Sequence, residues 1–300
     1  MPNENIQFLP QPKILTFEEI VRFTSICAKH GVNKIRITGG EPLVRKELPK
    51  LIRMLVDIPG IADVAITTNG VLLADQVQEL RDSGLHRLNI SLDTLQEEVF
   101  QRITRRSGIQ KVLDGIDAAI ETGFEKIRLN SIAMASLTES EIVPLAEFAR
   151  QKNLELRFIE FMPLDAEQNW EADQVLTGEQ IRETIEQEIG KLEPVEREDV
   201  SQPAVDFAYQ DGQGRVGFIN PISQPFCETC NRLRITAEGK IRNCLFSTTE
   251  FDAMQLLRND GTDEEISQLI FDCVDAKKAA HGIDSNEFQR PEKAMYQIGG

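Results

Sequence analysis

The apolar positions of the first two-thirds of this chain switch repeatedly between two periods. Thr16-Phe17-Glu18-Glu19 carries a hydroxyl at a helix start and a carboxylate three residues later, and helical spacing follows to about Lys29. Lys34–Thr38 then alternates at period two, as a strand does, and ends at Gly39-Gly40. The same signals predict a helix near Glu47–Val56, a strand over Ala62–Thr67, a helix near Ala74–Ser83 and a strand over Arg87–Ser91. A helical stretch over Gln96–Thr122, a strand over Lys126–Met134, a helix near Ser140–Gln151 and a strand over Glu155–Phe161 complete the series. Strands separated by helices imply parallel pairing through right-handed crossovers, so the expectation is α/β, as a barrel or an open sheet.

After a helix over Thr177–Ile189, the acidic, proline-bearing stretch Glu193–Pro203 reads as a surface connection. Beyond it come short strands near Val216–Ile219, Leu233–Thr236 and Lys240–Cys244, then helices at about Asp252–Leu257 and Asp263–Lys278. The expected division is residues 1–190 and residues 191–300.

Composition narrows the function classes. Three hundred residues, 41% of them hydrophobic, suffice for a substantial core, and no apolar run is long enough for a transmembrane helix. The opening Met1-Pro2-Asn3-Glu4-Asn5 lacks the basic head and apolar centre of a signal peptide. Five cysteines, three of them at one locus, fit a reducing cytoplasm better than a disulfide framework. A formal charge of −16 argues against general nucleic-acid binding, so positive charge for an anionic substrate must be local.

Strands of a helix-covered parallel sheet usually read as continuous apolar runs, and here several do not. Arg36 shares a strand face with Thr38, and Arg128 shares one with Asn130. Arg157 lies opposite Leu156 and Phe158, while Thr67 with Asn69 and Asn89 with Ser91 extend the polar face. A buried guanidinium needs either a carboxylate, such as Glu41 or Glu160, or an anionic ligand. Repetition over three strands, with Arg232 and Arg234 added, favours a phosphorylated substrate inside an α/β barrel.

Cys227 and Cys230 form a Cys-x2-Cys hook, with Cys244 further along, a soft-ligand pattern suited to a structural zinc or to an iron–sulfur cluster. Cys27 and Cys273 sit in apolar helical patterns and read as core residues, and His281 reads as a surface residue. No fourth ligand stands out. The terminal Gly299-Gly300 reads by default as a frayed end.

Together these residues resemble a known family. Gly39-Gly40-Glu41-Pro42 after a strand is similar to the motif by which radical S-adenosylmethionine enzymes hold the methionine amino group. Thr67-Thr68-Asn69-Gly70, Asn89-Ile90-Ser91-Leu92-Asp93, Arg157-Phe158-Ile159-Glu160-Phe161-Met162, the Cys227 block and the Gly-Gly tail add to it. In that order they resemble one branch over the whole chain, the MoaA-like GTP 3′,8-cyclases of molybdenum-cofactor biosynthesis. The resemblance implies an incomplete (β/α)6 TIM-like barrel with a C-terminal extension that binds a [4Fe–4S] cluster through Cys227, Cys230 and Cys244, its open iron facing guanine. It implies GTP at Arg36, Thr67, Arg128, Arg157, Arg232 and Arg234. S-adenosylmethionine is implied at Gly39, Gly40, Glu41, Pro42, Ser91 and Met162. Arg232, Arg234, Gly299 and Gly300 are implied at the reacting centre, the last two as a tail reaching into it. The family reaction abstracts a ribose C3′ hydrogen with a 5′-deoxyadenosyl radical and joins C3′ to guanine C8. Its product passes to the enzyme that makes cyclic pyranopterin monophosphate, and family members are usually cytoplasmic homodimers.

Two departures accompany the resemblance. Arg128 stands where the family usually has lysine. The family also places a strand and a Cys-x3-Cys-x2-Cys set, the ligands of a second [4Fe–4S] cluster that cleaves S-adenosylmethionine, before a Met-Pro dipeptide, and here the sequence begins at Met1-Pro2. A family arginine upstream of those cysteines falls outside the sequence as well. The expectation is therefore a reading frame begun late, a polypeptide that does not cleave S-adenosylmethionine, and an open strand edge at Lys34–Thr38 prone to aggregation. The alternatives are a non-catalytic nucleotide- or cluster-binding remnant and a zinc-stapled binding module.

Overall fold

A computed structural model describes residues 9–164, 170–197, 199–283 and 288–298. Its strands are β1 (Lys34–Ile37), β2 (Asp63–Thr68), β3 (Arg87–Ser91), β4 (Ile127–Ala133), β5 (Glu155–Glu160), β6 (Leu192–Pro194), β7 (Ala204–Tyr209), β8 (Arg215–Ile219), β9 (Arg234–Ile235), β10 (Lys240–Arg242) and β11 (Phe251–Asp252). Its helices are α1 (Phe17–Lys29), α2 (Leu48–Val56), α3 (Leu73–Asp82), α4 (Glu97–Thr104), α5 (Ile109–Glu121), α6 (Ile142–Gln151), α7 (Gly178–Glu188), α8 (Ala253–Arg258), α9 (Asp263–Asp275) and α10 (Met295–Ile298). No helix among the described residues is long and apolar enough to cross a membrane.

The chain divides into two compact units, each discontinuous in sequence. The first comprises Thr68–Val77 and Arg87–Asn231. Within it β3, β4, β5 and β8 pair side by side in parallel, and β7 and β6 continue the sheet antiparallel. Buried Leu88, Ile90, Leu129, Leu156 and Phe218 from the strands and Val112, Ile116, Leu145, Ile181 and Ile185 from the helices make its core. The apolar sides of α5, α6 and α7 recur at helical spacing, which is why these segments form helices against a sheet.

Two expectations are corrected in this unit. The Gln96–Thr122 helix is two helices, because Arg105 takes a left-handed conformation (φ 61°) and ends α4. The carboxylate of Glu97, from the start of α4, accepts the backbone N–H groups of Gly108 (2.9 Å) and Ile109 (2.9 Å) and so caps α5. The acidic connection after residue 190 begins as strand β6, which pairs with β7, a strand the apolar pattern did not reveal. Residues 204–209 mix Asp206 into an otherwise apolar run, and only pairing with β8 makes them a strand.

The second unit comprises the described residues up to Thr67, Gln78–His86 and those from Arg232 onward. Thr16 caps α1 as expected, its hydroxyl accepting the Glu19 N–H at 3.2 Å while the Glu19 carboxylate accepts the Thr16 N–H at 2.8 Å. β1 and β2 pair in parallel, and β9, β10 and β11 form an antiparallel sheet. Phe23, Ile26 and Cys27 of α1 pack with Ile241 of β10, Ala253 of α8, and Ile266, Ile270 and Cys273 of α9 in one core. Cys27 and Cys273 are the core residues that the sequence suggested.

Candidate functional site

In the first unit, strand register builds a polar row. Ser91 lies opposite Asn130, Asn130 opposite Arg157, Arg157 opposite Gly217, and Gly217 opposite Asp206. A neighbouring row sets Asn89 beside Arg128 and Arg128 beside Glu155. Glu155 and Arg157 share a face of β5 because side chains repeat every second residue. The Glu155 carboxylate accepts Arg128 Nε at 2.7 Å and Arg157 Nε at 2.6 Å. Arg157 Nη2 lies 2.5 Å from Glu155 and 3.5 Å from Asp206.

Two cations and two carboxylates meet here, so the row is balanced within the protein. Burial pushes the Glu155 carboxyl up, but Arg157 and Arg128 outweigh it and hold the group below its usual range. Burial raises the Asp206 carboxyl, with Arg157 opposing. Gly217 makes the crossing possible, since a Cβ there would lie 2.4 Å from Asp206 Oδ1 and 3.4 Å from Arg157 Cγ.

For Arg128 and Arg157 the carboxylate partners are thus Glu155 and Asp206, where the sequence had suggested Glu160. Glu160, on the other face of β5, is buried and accepts the backbone N–H groups of Ile222 and Ser223, each at 2.9 Å. Glu41 accepts the Leu43 N–H at 3.0 Å and starts a short turn of helix. Glu155, two residues before Arg157 on one strand face, was visible as a same-face neighbour. Asp206 and Gly217 carried no local signal. The remaining first-unit candidates are Ser91, exposed at the end of β3, and Met162, half-buried just beyond β5.

In the second unit, β1 turns Lys34 and Arg36 to its exposed face and half-buries Ile35 and Ile37. Arg36 is therefore a surface-facing cation, and the expected burial does not hold for it. Gly39 is half-buried, Gly40 exposed and Pro42 buried. Thr67, on β2, has a buried hydroxyl without a hydrogen-bond partner in this structure. Arg232 and Arg234 are half-buried, and Arg234 lies opposite Arg242 across the β9–β10 pair.

Cys227 and Cys230 belong to the first unit and Cys244 to the second. The hook is a turn in which the Cys230 N–H donates to the Cys227 carbonyl at 3.1 Å. All three cysteines are half-buried. Among the described residues no group of three or more His, Cys, Asp or Glu is arranged to hold a metal ion. The donor chemistry of the three thiols nonetheless suits iron–sulfur or zinc binding. No such set precedes them, since Cys27 is the single cysteine before Cys227, so the residues present do not fit a second cluster. Cys27 and Cys273 are packed in the apolar core instead, where burial pushes the Cys27 thiol up to about 12 and the Cys273 thiol up to about 11. His281 is not a bare surface residue, for its ring packs on Phe246 at 4.9 Å. Gly299 and Gly300 lie outside the described residues.

At pH 8, iodoacetamide on the metal-free folded chain is expected to alkylate Cys227, Cys230 and Cys244 and to spare Cys27 and Cys273, which are buried and have raised thiols. Peptide mass mapping checks this, and rapid labelling of Cys27 would overturn it.

A family model described as Radical SAM superfamily matches residues 3–149, and one described as Molybdenum Cofactor Synthesis C matches residues 154–283. A GTP 3′,8-cyclase of Rhodopirellula baltica is 50% identical over 303 aligned positions, covering 100% of this chain and 84% of the relative. One from Syntrophomonas wolfei is 39% identical over 300, covering 100% of this chain and 92% of the relative. The fold resembles that of Streptococcus suis SuiB with a TM-score of 0.59 and 15% identity, over 80% of this chain and 57% of that one. A mostly parallel central sheet, the two matched families and full-length identity to these relatives agree: the chain belongs to the radical S-adenosylmethionine GTP 3′,8-cyclases.

Proposed function

We propose that this chain binds GTP and S-adenosylmethionine and serves the conversion of GTP to 3′,8-cyclo-7,8-dihydro-GTP in molybdenum-cofactor biosynthesis. The observation that carries the reading is full-length identity of 50% to a GTP 3′,8-cyclase. The product suits cyclic pyranopterin monophosphate synthase as the next enzyme, in a cytoplasmic and homodimeric setting. The strands and helices are read as an incomplete (β/α)6 barrel in residues 1–190 with a cluster-bearing extension in 191–300.

Arg36, Arg232 and Arg234 supply cations for the triphosphate. Arg128 spends its Nε on Glu155 and offers its terminal amino groups. Arg157, 3% exposed and paired with Glu155, acts chiefly by fixing Glu155 and through it Arg128. The orphaned Thr67 hydroxyl supplies a hydrogen bond to the nucleotide. Gly39, Gly40, Glu41, Pro42, Ser91 and Met162 form the S-adenosylmethionine contacts. Cys227, Cys230 and Cys244 would hold a [4Fe–4S] cluster, which when bound would supply Lewis-acidic iron for the substrate. The Gly299-Gly300 tail completes the reacting centre. Loss of hydrogen from ribose C3′ and bond formation to C8 need chemistry that these residues alone do not supply.

Anaerobic reconstitution tests the reading. The 300-residue polypeptide is expected to take up about four iron atoms, one cluster, and to bind GTP. It is expected to form no 5′-deoxyadenosine. Supplying a family-type Cys-x3-Cys-x2-Cys segment ahead of Met1 is expected to yield the cyclised nucleotide. Zinc in place of iron, or no GTP binding by either polypeptide, would overturn it.

A further inference from the structure

The second unit contains a charged and aromatic cluster that the reading above leaves unused. Arg242, 3% exposed at the end of β10, donates through Nη1 to Glu250 at 2.7 Å. Its Nη2 donates to the Leu245 carbonyl at 3.3 Å and to the Ser247 carbonyl. The segment that follows Cys244 is thus folded around one guanidinium, and the Ser247 N–H closes it on the Cys244 carbonyl at 3.3 Å.

The C-terminal segment reaches the same loop twice. Lys293 Nζ donates to both oxygens of Glu250 at 2.9 Å and lies 3.5 Å from Glu238, in the turn between β9 and β10. The Phe246 ring meets Phe288 edge-on at 5.8 Å and packs on His281 at 4.9 Å. Just beyond Lys293, Ala294 is 7% exposed and Ile298 fully buried, so the segment is seated up to the last described residue. Glu250 accepts from Arg242 and Lys293 together, and these cations hold its carboxyl below the usual range against burial.

We propose that Lys293 and Glu250, with Phe246 against Phe288, form a latch that sets the position of the C-terminal segment and of the Cys244 loop together. Lys293 and Glu250 are then positioning residues that act through Arg242 on the Cys244 loop. This rests on the reading of Cys244 as a cluster ligand.

Hydrogen–deuterium exchange and thiol labelling of the metal-free 300-residue chain test it, with Lys293→Met, Lys293→Arg and Glu250→Gln. Lys293→Met is expected to raise exchange several-fold in residues 291–298 and also in residues 244–250. It is expected to speed iodoacetamide labelling of Cys244 while leaving that of Cys230 unchanged. Lys293→Arg restores both, and Glu250→Gln reproduces or exceeds the loss, because it also strips the buried Arg242 of its counter-charge. Loosening of 291–298 alone, with Cys244 labelling unchanged, would overturn the coupling, and unchanged exchange in both segments would overturn the latch. Coupled loosening in a chain whose Cys244→Ser variant still takes up full iron would leave the latch standing and sink the ligand reading.

Discussion

Replacing Glu155 with alanine lowers the stability of this protein by about 3 kcal/mol, the scale for stranding a buried charge. Arg157 has a side chain only 4% exposed and loses its partner at 2.5 Å, keeping only the longer contact to Asp206 at 3.5 Å. Arg128 loses its Nε acceptor in the same step. Glu155 itself is 20% exposed, so water compensates part of the loss and the effect sits at the low end of that range. Glu155→Gln keeps an acceptor and is expected to cost about half as much. Adding Arg157→Met to Glu155→Ala removes the stranded cation and recovers part of the loss, a coupling that a double-mutant cycle reads directly.

The pH dependence has a definite sign. A carboxyl held low in the folded state stabilises the protein above its unfolded pKa, and that stabilisation is lost as pH falls through the folded value. The stability gap between the parent protein and Glu155→Gln therefore narrows in acid. Asp206, raised mainly by burial, works in the opposite direction and costs stability once it ionises. Urea titrations at neutral and acid pH check both, and a loss under about 1 kcal/mol for Glu155→Ala would show the row to be solvated.

The second large effect lies in the turn that joins β9 to β10. Gly239→Ala is expected to cost about 2–4 kcal/mol, combining a left-handed backbone penalty near 1 kcal/mol with overpacking. Gly239 has φ +73°, and a Cβ there would stand 2.7 Å from Met254 Cβ and 3.1 Å from Met254 N. Neither atom is the end of a flexible side chain, so the turn or α8 must move. The Gly239 carbonyl also accepts the Ala253 N–H at 2.9 Å, which ties the turn to that helix. Gly212→Ala is the matched control, with φ +75° and open space around the new Cβ, and is expected to lose about 1 kcal/mol. Equal losses at the two positions would show that the Met254 contact relaxes freely.

Much of the fold could be read locally. The Thr16–Glu19 capping box, the period-two runs at Arg87–Ser91 and Glu155–Glu160, and the helices α6, α7 and α9 all depend on neighbours within a few residues. The split of α4 from α5 was missed because Arg105 adopts a left-handed conformation that its residue type does not announce. β6 was missed because a three-residue strand on the sheet edge is stabilised by its partner more than by its own pattern, and β7, between β8 and β6, because Asp206 interrupts its apolar run.

The site divides in the same way. The order of motifs, the three cysteines and the strand arginines determined the family by sequence alone, because each rests on residue identity and spacing. Only the tertiary structure decided that Arg128 and Arg157 face Glu155 and Asp206, that Arg36 is exposed, and that Lys293 meets Glu250 across 43 residues. Those pairings depend on the register between strands and on where distant segments come to rest. Coulomb attraction and desolvation then select among carboxylates that look equivalent along the chain.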